Sequence, residues 1–264
     1  MAKHDAAPTT ALCRYSETEI YYRDRNLVRD LMDGGGDFVA LMMAHILGRE
    51  IAPREIRVMN AILITLMEHG LTPSAIATRS VYMSAPENLQ GAVAAGLMAV
   101  GSQFVGTIEN NARLLARINA APEAEWPAIA REIVAEHHGA GRRMPGFGHH
   151  LHHPDDPRAL KLLEIGASEG FEGGHVAALR LLAREVDAAA GRHVTINATG
   201  ATAALLGDMD IPVPLMRGFA VISRAAGLVA HIAEEQARPS GRFIWELVDK
   251  EIPFDSSPSG VEGS

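Results

Sequence analysis

Apolar residues recur along this chain at intervals of three and four, the spacing of one face of an α-helix. Between Pro53 and His69 the set is Met59, Ile62, Leu63, Leu66 and Met67. Pro53 stands where a first-turn proline is tolerated, and Gly70 supplies a stop. Asp37–Leu47, ended by Gly48, reads as a second helix, and Asn88–Val100, rich in Ala and Gly, as one that neighbours can approach closely. Further helices are predicted over Ser102–Ile118, Trp126–His138, Pro157–Gly166, His175–Ala190, Thr199–Leu206, Val213–Glu235 and Arg242–Lys250. Strand signals are weak: alternating Val/Ile/Thr runs are nearly absent, and Val194–Ile196 is too short to found a sheet. The pattern predicts an all-α protein. Residues 1–19 and the Ser/Gly-rich stretch 256–264 read as flexible ends.

Composition narrows the function classes. The 264 residues suffice for one large domain or two unequal lobes with a sizeable core. A net charge of −8 argues against nucleic acid, which needs clustered Lys and Arg, and against an anionic membrane surface. The single cysteine, Cys13, rules out an intrachain disulfide and a cysteine-built zinc site. The N-terminal residues show no apolar segment of a signal peptide. The long apolar stretch Pro212–Ala233 contains Arg217 and Arg224 and reads as a buried helix, not a membrane span. A cytoplasmic protein without membrane or nucleic-acid partners is the expectation.

Four segments hold candidate chemistry. The densest is Pro145-Gly146-Phe147-Gly148-His149-His150-Leu151-His152-His153-Pro154-Asp155-Asp156-Pro157-Arg158. Its glycines permit a sharp turn or close approach to a ligand, its imidazoles suit acid–base work, and its arginine suits a carboxylate. A solvated surface loop is the plain alternative. A metal site is another reading of four histidines, although no H-E-x-x-H spacing accompanies them, and no metal is expected. Glu68-His69-Gly70 ends an apolar helix, where a histidine is either a cap favoured by the helix dipole or a pocket-edge group. Asn197, in Thr195-Ile196-Asn197-Ala198-Thr199-Gly200, is either a helix cap or a site residue. Arg224 lies in a nearly all-apolar helix and needs an anion if buried, a carboxylate of the protein or of a ligand. Arg158 and Arg238 are further carboxylate candidates, each equally able to form an ordinary salt bridge.

In this order the segments resemble the citrate synthase superfamily. Gly146-Phe147-Gly148-His149 with Asp156-Pro157-Arg158 looks like its GFGH…DPR loop. Ser223-Arg224-Ala225-Ala226-Gly227 looks like its SRALG segment, and Arg238-Pro239 like its late Arg-Pro element. Glu68-His69-Gly70 and the turn from Gly101 to Gly106 are similar to the short branch, which contains free citryl-CoA lyases and the C-terminal module of ATP-citrate lyase. Phe104 stands near the place where ordinary citrate synthases carry a histidine. The resemblance covers roughly residues 20–250.

The resemblance implies a two-lobed helical fold, with 20–106 and 206–255 as the large lobe and 107–205 as the small one. It implies a homodimer, possibly a higher oligomer, and an active site in the cleft between lobes. It assigns His69 and His149 to catalysis, Arg158, Arg224 and Arg238 to substrate carboxylates, and Gly146, Phe147 and Gly148 to coenzyme A. Coenzyme A would be part of the substrate, beside a tricarboxylate or oxo acid, with no tightly bound cofactor. Asn197 stands where the family has an aspartate base. An amide can hydrogen-bond but cannot shuttle a proton at carbon. Three functions stay open: citryl-CoA-type cleavage or its reverse, a citrate synthase-type acyltransferase on a related oxo acid, and a catalytically weakened binding protein for an acyl-CoA or tricarboxylate.

Overall fold

A computed structural model describes residues 7–101, 103 and 105–255. Helix makes up 64% of the protein, so the all-α expectation holds at the level of class. Eleven α-helices are seen among the described residues: α1 Phe38–Leu47, α2 Pro53–Met67, α3 Pro73–Ser84, α4 Leu89–Met98, α5 Thr107–Asn119, α6 Trp126–Gly139, α7 Pro157–Ser168, α8 Gly174–Ala190, α9 Ala198–Asp208, α10 Val213–Ala237 and α11 Gly241–Glu251. Their boundaries carry expected cap chemistry. The Asp37, Asn88, Asp156 and Asn197 side chains each accept a backbone N–H of the following first turn, and Gly48 closes α1 in the left-handed region.

Two elements depart from the sequence reading. Residues 13–26 form a three-stranded antiparallel sheet, β1 Cys13–Tyr15, β2 Ile20–Tyr22 and β3 Arg25–Asn26, with Cys13 opposite Tyr22. The flexible start predicted for 1–19 is therefore too long. Tyr15, Ile20, Tyr21 and Tyr22 are strand formers whose signal is diluted by the polar turn between them. The second departure is α3, which the hydrophobic spacing did not reveal. Its sequence, Pro-Ser-Ala-Ile-Ala-Thr-Arg-Ser-Val-Tyr-Met-Ser, mixes β-branched and hydroxyl residues that individually disfavour helix, and tertiary packing overrides them. Val194–Ile196 is no strand; Ile196 makes only an isolated bridge to Phe147. The helix expected from Ser102 begins at Thr107, and Ser102 and Phe104 lie outside the described residues, as does the predicted tail 256–264.

By packing, the chain divides into two compact units. One holds the chain up to Ile62 with Asn111–Val213; the other holds Leu63–Asn110 with the chain from Pro214. Residues 20–62 thus group with 111–213, where the resemblance had suggested 63–106.

In the first unit α9 is the central rod. Ala198 and every residue from Gly200 to Gly207 are buried, between α7 and α8. Its Ala, Gly and Thr residues leave room for neighbours: Leu205 lies directly against the backbone of Gly166. In the second unit α3 packs on α4, and α10 supplies the core face. Its buried residues Met216, Ala220, Ser223, Gly227, His231 and Glu235 recur every three or four positions. By length and composition α10 could cross a membrane. Its buried stripe nevertheless contains Arg224, His231 and Glu235, held within protein.

α10 approaches α2 closely at Gly227, where an added Cβ would overlap the carbonyl of Met67. Helix backbone cannot yield as a side-chain tip can. Gly227→Ala is expected to cost about 1–3 kcal/mol, measured by denaturant unfolding. Gly218→Ala, at an open position of the same helix, should be neutral or stabilising by up to about 1 kcal/mol.

Candidate active site

The loop before α7 is fastened to the segment that starts α9 first by backbone hydrogen bonds. Gly146 O accepts the N–H of Asn197 at 3.0 Å, and Gly148 N–H donates to Thr195 O at 2.8 Å. Gly146 (φ +85°) and Gly148 (φ +76°) adopt left-handed conformations that permit this path. A Cβ at Gly146 would stand 2.9 Å from Gly200 Cα and 2.6 Å from the Asn111 amide nitrogen. Phe147, between the glycines, is buried, and Asn111 Nδ2 donates to Pro145 O at 2.8 Å. The Gly146–Phe147 part of the loop is therefore anchored in the core, while His150, Leu151, His153 and Pro154 are exposed as a solvated surface loop would be.

Asp156 is the electrostatic centre. It is fully buried, caps α7, and fills both carboxylate oxygens. Oδ1 accepts the Arg158 backbone N–H and Nε, each at 3.0 Å; Oδ2 accepts Arg158 Nη2 at 2.8 Å and Ala198 N–H at 3.1 Å. Burial pushes this carboxyl up, but the Arg158 guanidinium and the backbone donors outweigh it and hold it below the usual carboxylate range.

His149 lies over this ion pair. Its Nδ1 faces the N–H groups of Leu151 and His152, both at 3.1 Å, and its Nε2 lies 3.2 Å from Arg158 Nη2. A neutral imidazole has one acceptor nitrogen, so the three donors cannot all be satisfied by the ring. With Nδ1 accepting, the ring proton sits on Nε2 and faces the Arg158 guanidinium, so this edge of the site carries donors only. Burial, followed by the charges of His152 and Arg158, pushes the His149 imidazole down to about 4, so it is neutral at physiological pH. The rings of His150 and His152 stack on it at 4.7 and 4.3 Å.

His149, His152 and Asp156 bring donor atoms within 4.8 Å of one another, as a metal site would. However, each Asp156 oxygen already takes two N–H donors and a guanidinium occupies the approach to His149. This is anion-binding chemistry rather than cation-binding chemistry.

Asn197 acts as a cap. Its Oδ1 accepts from Thr199 N, Gly200 N and Thr199 Oγ1, and its Nδ2 donates to Gly148 O at 3.0 Å. The amide uses both donor and acceptor to lock the loop onto α9. One fixing residue that the sequence did not reveal is His193, which bridges Asp187 at 2.9 Å and Asp155 at 3.0 Å. The Asp155-Asp156 pair was its only sequence signal.

The other candidates belong to the second unit. His69 is exposed on the turn after α2, where Glu68 Oε1 accepts the N–H groups of His69 and Gly70 at 2.8 and 2.7 Å. Arg224 is buried, its Nη1 without a hydrogen-bond partner. Burial lowers its pKa and nearby Glu68 opposes the shift. A buried guanidinium with an orphan N–H is short of an anion. Arg238 is exposed just beyond α10.

Residues 6–245 match the family model "Citrate synthase, C-terminal domain". This chain belongs to the citrate synthase family. Within the family, the citryl-CoA lyase of Hydrogenobacter thermophilus superposes with a TM-score of 0.82 at 29% identity, each chain covered to 96%. An ATP citrate lyase of Methanosaeta concilii, solved with (3S)-citryl-CoA, gives 0.74 at 19% identity over 96% of this chain and 43% of its own. That likeness shows the fold alone. The putative citrate synthase 2 of Mycobacterium tuberculosis is 26% identical over 221 residues, 80% of this chain and 55% of its own. The chain spans about half the length of the curated relatives it matches first.

Two predictions follow from the geometry. Asn197→Asp sets a carboxylate oxygen against Gly148 O in place of a donor. It should lower stability by about 1–3 kcal/mol in urea titration, and unchanged stability would show that the amide bridge is dispensable. The second concerns acid. Folded His149 stays neutral to about pH 4, whereas the unfolded chain binds that proton near the ordinary 6.5. The unfolded state binds more protons between the two values, so this contribution is present above 6.5 and is lost as pH falls toward 4. His149→Gln should therefore flatten the loss of stability across that window, read from urea midpoints at several pH values.

Proposed function

We propose that this protein is a citryl-CoA lyase-type enzyme, cleaving or forming the carbon–carbon bond between an acetyl-CoA unit and oxaloacetate. The observation that carries the reading is the placement of His149 Nε2 3.2 Å from Arg158 Nη2, with Arg158 held by the buried Asp156. Full-length similarity to a free citryl-CoA lyase supports it.

In the cleavage direction the tertiary hydroxyl gives up its proton, and the carbon–carbon bond breaks as its oxygen becomes the oxaloacetate carbonyl. The electron pair passes to the acetyl-CoA enolate, which is then protonated at carbon. The neutral His149 and the Arg158 guanidinium stabilise negative charge on the former hydroxyl oxygen. Asp156 fixes Arg158 and is itself too strongly held by donors to act as a base. Arg224 supplies an N–H without a hydrogen-bond partner for a substrate carboxylate, and His69 polarises the thioester oxygen. Arg238 is a further carboxylate contact. The coenzyme A contact expected of Gly146, Phe147 and Gly148 is not kept in this reading, because Gly146 O, Gly148 N–H and Gly148 O are already bonded to Asn197 and Thr195 and Phe147 is buried. Water or a neighbouring histidine carries the protons, because Asn197 cannot.

Exposed apolar residues of α11, among them Phe243, Trp245 and Val248, suit a homodimer contact. One observation favours a second reading. Asn197, an amide committed to capping α9 and holding Gly148 O, stands where the family resemblance expects an aspartate base, as expected for a protein that binds an acyl-CoA or tricarboxylate without turnover.

Purified protein should convert citryl-CoA to acetyl-CoA and oxaloacetate, followed by mass spectrometry. His149→Ala should lower the rate by about 10²–10⁴. Binding of citryl-CoA without products would select the second reading, and neither binding nor turnover would reject both.

A further inference from the structure

The second unit contains a chain of buried polar groups that the reaction above does not use. Arg79 on α3 is 2% exposed and donates Nε–H to His231 Nδ1 at 3.0 Å. Its Nη1 donates to Glu235 at 2.8 Å and to Ser240 Oγ at 3.1 Å, and its Nη2 pairs with Glu234. Glu235 in turn accepts the N–H groups of Ser240 and Gly241 at the start of α11. On the other side His231 Nε2 lies 3.0 Å from Glu68 Oε2.

Chemistry fixes the direction of every bond in this chain. A guanidinium has only donors, so His231 Nδ1 must accept and the ring proton of the neutral imidazole must sit on Nε2. That proton points at Glu68. The same carboxylate takes the His69 and Gly70 amides through its other oxygen, and this closes the turn that presents His69. The α10 face is built for this contact. Ser223 bonds Leu63 O, Gly227 lies on Met67 O, and His231 meets Glu68, each one helical turn further along.

We propose that His231, held in its Nε2–H tautomer by Arg79, is a positioning residue that orients Glu68 and through it the His69 turn. The functional consequence rests on the citryl-CoA reading; the tautomer and the orientation of the turn do not.

The test uses the full chain as wild type, His231→Gln and His231→Phe. Gln keeps an N–H donor for Glu68, and Phe keeps bulk without it. Histidine ring ¹⁵N spectra of the wild type should show His231 neutral with its proton on Nε2. His231→Phe should lower kcat for citryl-CoA by up to on the order of 10²-fold with KM nearly unchanged, and shift the ring signals of His69. His231→Gln should leave both near wild type. A proton on Nδ1 overturns the proposal. So does a Phe variant that loses melting temperature but keeps kcat, or a Gln variant no better than Phe. Where no chain, wild type included, turns over citryl-CoA, the functional reading fails on its own. The His69 signals then decide: unmoved in His231→Phe, they overturn the proposal.

Discussion

The candidate site depends on one buried carboxylate. Asp156 ends the loop, starts α7, and reaches the first N–H of α9, while both of its oxygens grip Arg158. Removing one partner of such a pair leaves an uncompensated charge in the interior, which is far more costly than the pair is worth when intact. Its backbone N–H is also held, by Thr195 Oγ1 at 2.9 Å. Loop, helix start and guanidinium are thus tied at a single point, and His149 inherits its position from that point.

The second unit relies on directionality rather than on one charge. Arg79 can only donate and the Glu235 and Glu68 carboxylates can only accept. His231 stands between with one nitrogen of each kind. A network whose every member has one possible orientation rigidifies its surroundings, because no alternative pattern competes with it. Arg224, in the same stripe, is the exception. Its orphan donor is tolerated there because the nearby Glu68 charge offsets part of its burial.

Legibility in the sequence followed chain distance. The loop from Gly146 to Arg158 and the Asn197 turn were readable because each is a short run of residues whose chemistry is local. The role of Asn197 as a cap was among its open readings, and its grip on Gly148 O needed the fold. Helices with regular apolar spacing, such as α2 and α10, were visible; α3 was not, because its hydroxyl and β-branched residues mask the period. The Arg79–His231–Glu68 chain was invisible for a different reason. Its members lie 152 and 163 residues apart, and no spacing rule connects them. His193 likewise joins two aspartates on separate elements. The early sheet was missed because its strands are two or three residues long.

The bare contact between Gly146 and Gly200 has an evolutionary consequence. Where two segments meet this closely, a single added methyl group on either one would push them apart. The location of the imidazole thus depends on the absence of two side chains as well as on the presence of Asp156 and Asn197. Two positions must therefore remain without a side chain, since a Cβ at Gly200 would stand 2.4 Å from Gly146 O and one at Gly146 2.9 Å from Gly200 Cα.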